Sequence, residues 1–250
     1  MCLLAVAWKA RPDVPLAVSA NRDEMYARAS AGPRIENVGS LPVLMPLDLV
    51  AGGTWLGVNA SGLFVGVTNR AGAARDPARR SRGLLVRDAM AASSARALHA
   101  LLAALEPLRY NGFHLLYADR DAAFVTWSDG EKVTHRELEP GLHVLSERSF
   151  GAGTARRETL VRERIEKLLG AGPPTASALR ETMRFHADDT LEAACVHADA
   201  VGYGTRSSFQ LVLPAADAPS ALWTDGPPCT AHAEDITPLA ARLLGPARAR

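Results

Sequence analysis

Two hydrophobic rhythms run along this chain. Short dense apolar runs predict strands, and apolar residues at three-to-four spacing predict helices. Cys2–Trp8 is apolar throughout and predicts a buried strand that begins almost at the first residue. Pro12 and Pro15 bracket Asp13 in a turn, and Leu16–Asn21 predicts the second arm of a hairpin. Ser30–Pro46 holds Gly32, Pro33, Gly39, Pro42 and Pro46, which predicts a long irregular excursion. Gly53–Asn69 is the clearest hairpin. Trp55, Leu56 and Val58 precede Asn59-Ala60-Ser61-Gly62, and Leu63, Phe64, Val65 and Val67 follow it.

The helical rhythm comes later. Ser81 is placed to cap a helix running to about Ala92. Ser94–Leu105 repeats leucine at 98, 101, 102 and 105. Thr154–Leu169 puts Val161, Ile165, Leu168 and Leu169 on one face, with Glu163 four residues before Lys167. Thr175–His186 predicts a shorter helix, and the tail from Ile236 one that frays. Between them Gly112–Ala118, Ala122–Trp127, Val133–Leu138 and Gly141–Ser146 predict short strands. Cys195–His197, Ser208–Leu213 and Ala221–Thr224 predict more. Blocks of strands alternate with blocks of helices, without a regular βαβ repeat. The expected class is therefore α+β with antiparallel sheets. No repeat or linker interrupts the chain, and one domain over 1–250 is expected.

Composition narrows the function classes. Of 250 residues, 48% are hydrophobic, and 28 basic residues balance 27 acidic ones. Such near-neutrality does not suit a nucleic-acid binder, whose affinity rests on a basic face. No apolar run approaches the roughly 20 residues of a membrane span. The N-terminal run is short, unlike a secretory leader, so a cytoplasmic, reduced setting is expected. Cys2, Cys195 and Cys229 are odd in number and far apart in sequence, which suggests neither a disulfide framework nor a tetrahedral zinc site.

Candidate chemistry starts at Cys2. If Met1 is removed, its thiol sits beside an α-amine with a reference pKa near ~8, which can act as base for that thiol. Otherwise Cys2 is a small buried strand residue. In Asn21-Arg22-Asp23-Glu24, strand alternation puts Asn21 with Asp23 and Arg22 with Glu24. Either one face contacts the Cys2 amine while the other closes an ion pair, or the four form a surface turn with a salt bridge. Asn69 ends the clearest hairpin, either as an oxyanion donor or as a plain strand end. Arg70, Arg75, Arg79, Arg80, Arg82 and Arg87 form a basic cluster. It either meets an anion or lies solvated. Gly202-Tyr203-Gly204-Thr205-Arg206-Ser207 reads as a glycine-punctuated turn that presents Tyr203 and Arg206. Cys195 and His197 would share a strand face, as soft ligands for haem iron or as half-buried strand residues.

Taken together, Met1-Cys2, the Asn21–Glu24 tetrad, the Gly57–Asn69 hairpin, Ser81-Arg82-Gly83 and Tyr203–Ser207 resemble the NRDE family. Its eukaryotic members are called Transport and Golgi organisation 2 proteins. The resemblance implies an N-terminal-nucleophile (Ntn) hydrolase-like fold, a four-layer αββα sandwich. A weaker similarity extends to bile-salt and penicillin V acylases. It implies Cys2 as nucleophile, Asp23 holding the nucleophile's amine, Asn69 at the oxyanion and Arg206 as a late active-site arginine. Asn21, Arg22, Glu24, Arg70, Arg82 and Tyr203 are then expected around a ligand. The pattern departs at Ala20, where the acylases carry arginine, and at Glu147, where the family usually carries asparagine. The family is linked with haem trafficking and with lipid or acyl-CoA homeostasis. The first expectation is thus a carrier of haem or an acyl-CoA-type ligand, requiring no cofactor. The second is an amidohydrolase acting through a Cys2 acyl-enzyme.

Overall fold

A computed structural model describes residues 2–245. In chain order, β1 (Cys2–Arg11) and β2 (Val14–Met25) form the first hairpin. β3 (Ser30–Val38), β4 (Leu41–Asp48), β5 (Leu56–Asn59) and β6 (Phe64–Asn69) follow. Next come α1 (Arg82–Ala89), α2 (Ala95–Leu102), β7 (Phe113–Ala118), β8 (Ala123–Ser128), β9 (Val133–Glu137) and β10 (Gly141–Leu145). The last third holds α3 (Arg156–Ala171), α4 (Ala176–Thr182), β11 (His197–Ala198), β12 (Tyr203–Leu213), β13 (Ser220–Asp225), β14 (Ala233–Asp235) and α5 (Thr237–Leu244).

The described residues divide into two compact units. The first contains a sheet in the order β10-β1-β2-β12-β13-β14, with β11 also on β12, together with α3, α4 and α5. The second contains β3 to β9 side by side in sequence order, together with α1 and α2. Every strand pair in both sheets is antiparallel. The expected α+β class with two antiparallel sheets is what forms.

In the first unit, alternation along the strands fills the core. Leu3, Ala5 and Ala7 of β1 and Ala17 of β2 pack with Val161 and Ile165 of α3 and Leu179 of α4. The helix ends follow their capping residues. Ser81, Ser94 and Thr175 each accept a backbone N–H with their side-chain oxygen. α3 lacks such a local cap. A carboxylate oxygen of Glu192 instead takes the Arg157 N–H of its first turn at 3.0 Å.

Three expectations change. The segment expected to be irregular, Ser30–Pro46, is the β3–β4 hairpin: Gly39, at φ +60°, makes the turn, and a register shift near Ala31–Arg34 absorbs Gly32-Pro33. Tyr203–Ser207 is not a turn but the start of β12. Only Gly202, at φ +64°, has turn geometry, and the ladder bulges at Arg206. Of Cys195–His197, only His197 joins a strand, because the preceding residues bond elsewhere. The fraying expected at the tail's end falls outside the described residues.

The second unit explains Gly83. A Cβ on Gly53 would stand 2.2 Å from the Gly83 carbonyl carbon, and Thr54 N–H donates to the Gly83 oxygen at 3.0 Å. Two glycines let backbone meet backbone where α1 starts.

Candidate functional site

Strand alternation decides the direction of every tetrad side chain. Odd positions of β2 face the helices of their unit: Ser19 Oγ donates to Leu179 O, and Asn21 Nδ2 donates to Met183 O and Ala194 O at 3.0 and 2.7 Å. Asn21 is fully buried and ties the strand to the end of α4. Asp23 follows on the same face. Its Oδ2 accepts from Arg157 Nη1 at 2.9 Å, and its Oδ1 accepts from Thr205 Oγ1 at 2.7 Å. Arg157 Nη2 reaches the Cys2 carbonyl oxygen at 3.4 Å. Arg157 thus joins the acidic letter of the tetrad to the first strand.

Sequence reading missed Arg157. The signal was present, because Arg157 lies four residues before Val161 and eight before Ile165, on the buried stripe of α3. A charged residue on an apolar stripe must find a partner, and Asp23 is that partner.

Cys2 lies on the other face of its sheet. It stands opposite Arg22 in the β1–β2 register, so the thiol shares a face with Arg22 and points away from the Asn21–Asp23 face. Burial pushes the thiol pKa up, the nearby Arg22 pulls it down, and Asp23 and Glu24 raise it. Arg22 is buried. Its Nη2 meets Glu24 Oε2 at 3.5 Å, and its Nη1 is buried without a hydrogen-bond partner. Burial also drives the Tyr203 hydroxyl above its ordinary range, with Asp23 and Cys2 close enough to add to the effect. Arg206 is the bulged residue of β12: its carbonyl accepts from Gly226 N–H at 2.9 Å, and its Nε is buried without a partner.

The remaining candidates belong to the second unit. Asn69 closes β6 half-buried, opposite Phe113. Arg70 Nη1 donates to His114 Nε2 and to the carbonyls of Ser149 and Phe150. Since arginine only donates, His114 Nε2 accepts; its Nδ1 then carries the proton toward Thr68 Oγ1 at 3.0 Å, and Thr68 passes its own to Ser146 O. Burial, then the Arg70 charge, lowers the His114 pKa to about 4. Arg82 donates to Gly112 O, Arg79 to Tyr110 O and Gly130 O, and Arg87 to Gly52 O. Much of the basic cluster therefore braces neighbouring loops through their carbonyls. Glu147 is buried, with its carbonyl holding Ala71 N–H at 2.7 Å.

The wide spacing of the cysteines does not survive folding. Cys195 Sγ and Cys229 Sγ are 3.4 Å apart, and His197 Nε2 is 3.6 and 3.1 Å from them. His186 completes a group whose donor atoms all lie within 4.8 Å of one another. Spacing in sequence suggested no tetrahedral site, yet the fold places two cysteines and two histidines together. Spacing alone paired His197 with Cys195 but did not bring in His186, beside the Phe185 carbonyl that takes the Cys195 N–H, or Cys229, on the turn after Pro227-Pro228.

Two antiparallel sheets with their helices, and a cysteine at the head of the first strand, define an Ntn-hydrolase-like α+β fold. The C2A variant of conjugated bile acid hydrolase from Clostridium perfringens shares it, with a TM-score of 0.57 at 11% identity over 95% of this chain and 93% of that one. The Caenorhabditis elegans ortholog of N-acylethanolamine-hydrolyzing acid amidase shares it too, with a TM-score of 0.55 at 12% identity over 84% and 92%. The chain belongs to the Transport and Golgi organisation 2 family, whose pattern matches residues 1–217. The mouse Transport and Golgi organization 2 homolog is 30% identical over 168 residues, 64% of this chain. The matched stretch spans 59% of that relative's length.

Proposed function

We propose that the chain binds a small anionic ligand on the Cys2–Arg22 face of its first sheet, of the class of haem or an acyl-CoA. Arg22 Nη1 carries this reading. It is a buried cationic donor without a partner, on the same face as the thiol, and its contact to Glu24 is long at 3.5 Å. A buried guanidinium left short of acceptors gains from a propionate, carboxylate or phosphate oxygen. The test is titration of the purified chain with haem and, separately, with palmitoyl-CoA. Expected is a saturating Soret shift with the first or a rise in Tm with the second. Arg22→Gln should weaken that response by at least tenfold. Two flat titrations would end the proposal.

A second reading rests on Cys2 itself, at the head of β1 on a fold shared with amide hydrolases. With Met1 removed, the α-amine takes the thiol proton and sulfur bonds to the amide carbonyl carbon. The C–N bond breaks as the amine leaves with a proton, and water then releases the acid. Burial keeps this thiol protonated at rest, so the reading requires that amine as base. Intact mass of the native chain is decisive: a retained methionine closes this route and leaves the binding reading untouched.

A further inference from the structure

We propose that His186, Cys195, His197 and Cys229 hold one four-coordinate divalent cation of the zinc class, at a site separate from the Cys2–Arg22 face. Tetrahedral zinc binds sulfur at ~2.3 Å and imidazole nitrogen at ~2.0–2.1 Å. Those bond lengths set sulfur–sulfur spacings near ~3.8 Å and sulfur–nitrogen spacings near ~3.5 Å. The spacings here are 3.4 Å between the sulfurs and 3.1 and 3.6 Å from His197 Nε2 to each. The fourth donor, on His186, lies within 4.8 Å of the others, and the two imidazoles stand edge to face at 5.1 Å. All four donor atoms therefore lie within reach of a single ion.

The supports are built independently of any ion. Arg180 Nη2 donates to the carbonyls of Pro228 and Ala231 at 2.8 and 2.7 Å, and Arg184 Nη2 to that of Cys229 at 3.0 Å. Together they clamp the loop that carries one sulfur. Cys195 N–H donates to Phe185 O at 3.1 Å, which fixes the Cys195 backbone beside the His186 segment. His197 is held at both its N–H and its carbonyl by Thr190 Oγ1. Orientation by hydrogen-bonded backbone is what a metal site needs before the ion arrives.

Charge and chemistry select the ion. Two thiolates and two neutral imidazoles balance a divalent cation, and soft sulfur with imidazole favours zinc over magnesium or calcium. Four protein donors leave no open position, so the site is structural. The ion binds sulfur as thiolate, so loading should release protons to solvent. Exposed His186 offers the entry path. A haem iron takes at most two axial protein donors, whereas four donors gather here. The site also backs the tetrad: Ala194 O holds Asn21, and Val196 N–H donates to Thr205 Oγ1, which donates to Asp23.

Co2+ titration of the reduced, chelator-treated chain tests this. Expected are an intense visible band of tetrahedral Co2+ and a near-ultraviolet thiolate charge-transfer band. Both should saturate at a single equivalent and bleach with equimolar Zn2+. Cys229→Ser and His197→Asn should each weaken binding at least a hundredfold, whereas His232→Asn, an exposed neighbour, should not. Cys229 lies in a half-buried loop, so its variant is expected to fold, and circular dichroism verifies that. A weak octahedral spectrum, or a band that survives Cys229→Ser, would overturn the proposal. So would native Cys195–Cys229 disulfide recovered by peptide mapping, or a Soret band that depends on Cys195 in a chain that takes up no Co2+.

Discussion

The guanidinium of Arg157 meets the carboxylate of Asp23 at 2.9 Å with both side chains sealed from solvent. The pair spans α3 and β2 and brings Arg157 to the Cys2 carbonyl as well. A buried ion pair of this kind is costly to break, because each remaining charge loses its compensation.

Arg157→Met should therefore destabilise the chain by about 3–5 kcal/mol. Asp23→Asn in the same background should recover part of that loss, since the uncompensated carboxylate is then gone. Urea unfolding of the two single variants and the double variant measures the coupling. A loss below about 1 kcal/mol for Arg157→Met, within the range of an exposed pair, would show that solvent reaches Asp23.

Cys2 should be slow toward thiol electrophiles at neutral pH while the chain is folded. Its pKa is raised above 9.0, so thiolate appears only as pH climbs past the ordinary thiol range. Iodoacetamide labelling of Cys2, followed by peptide mass from pH 6 to 10, should rise without a plateau near neutrality. Rapid labelling at pH 7 would mean that a neighbouring base already holds the proton.

Stability should depend on His114 in acid. Its pKa is lowered from 6.5 to about 4, so between those values the unfolded chain binds a proton that the folded chain refuses. Stability then rises with pH through that window and falls as pH drops from 6.5 toward 4, by about 3 kcal/mol in all. His114→Gln should lower stability at pH 7 and flatten this slope. Denaturant midpoints at matched pH values check both effects.

Gly204→Ala should disturb Asp23 without touching it. A Cβ there would stand 2.5 Å from the Tyr26 hydroxyl and 2.6 Å from Val196 O. Val196 N–H binds Thr205 Oγ1, and Thr205 binds Asp23, so displacement there reaches the carboxylate. A loss of at least 2 kcal/mol is expected, roughly the scale of overpacking plus a broken buried network. Gly202→Ala, strained only by φ +64°, should cost about half as much.

Local rules carried much of the fold. Ser81, Ser94 and Thr175 cap the helices that their positions predicted, and the Gly53–Asn69 hairpin forms as its turn residues require. The rules failed where a long-range partner took control. Gly32 and Pro33 read as breakers, yet β4 pairs across them through a register shift. Tyr203–Ser207 read as a turn until β2 offered it a ladder. β14 pairs only through three residues to β13 and left no pattern to read.

Alternation along a strand is local, so the sequence by itself determined that Asn21 and Asp23 share one face and Arg22 the other. It also carried the family pattern and the antiparallel α+β class. Only the tertiary structure decided what those faces meet. Register set Cys2 beside Arg22, α3 delivered Arg157 to Asp23, and two clamped loops closed Cys195, His197, Cys229 and His186 into one group. Such contacts join residues up to 134 positions apart. They depend on how whole elements pack, and no rule of neighbouring spacing encodes that.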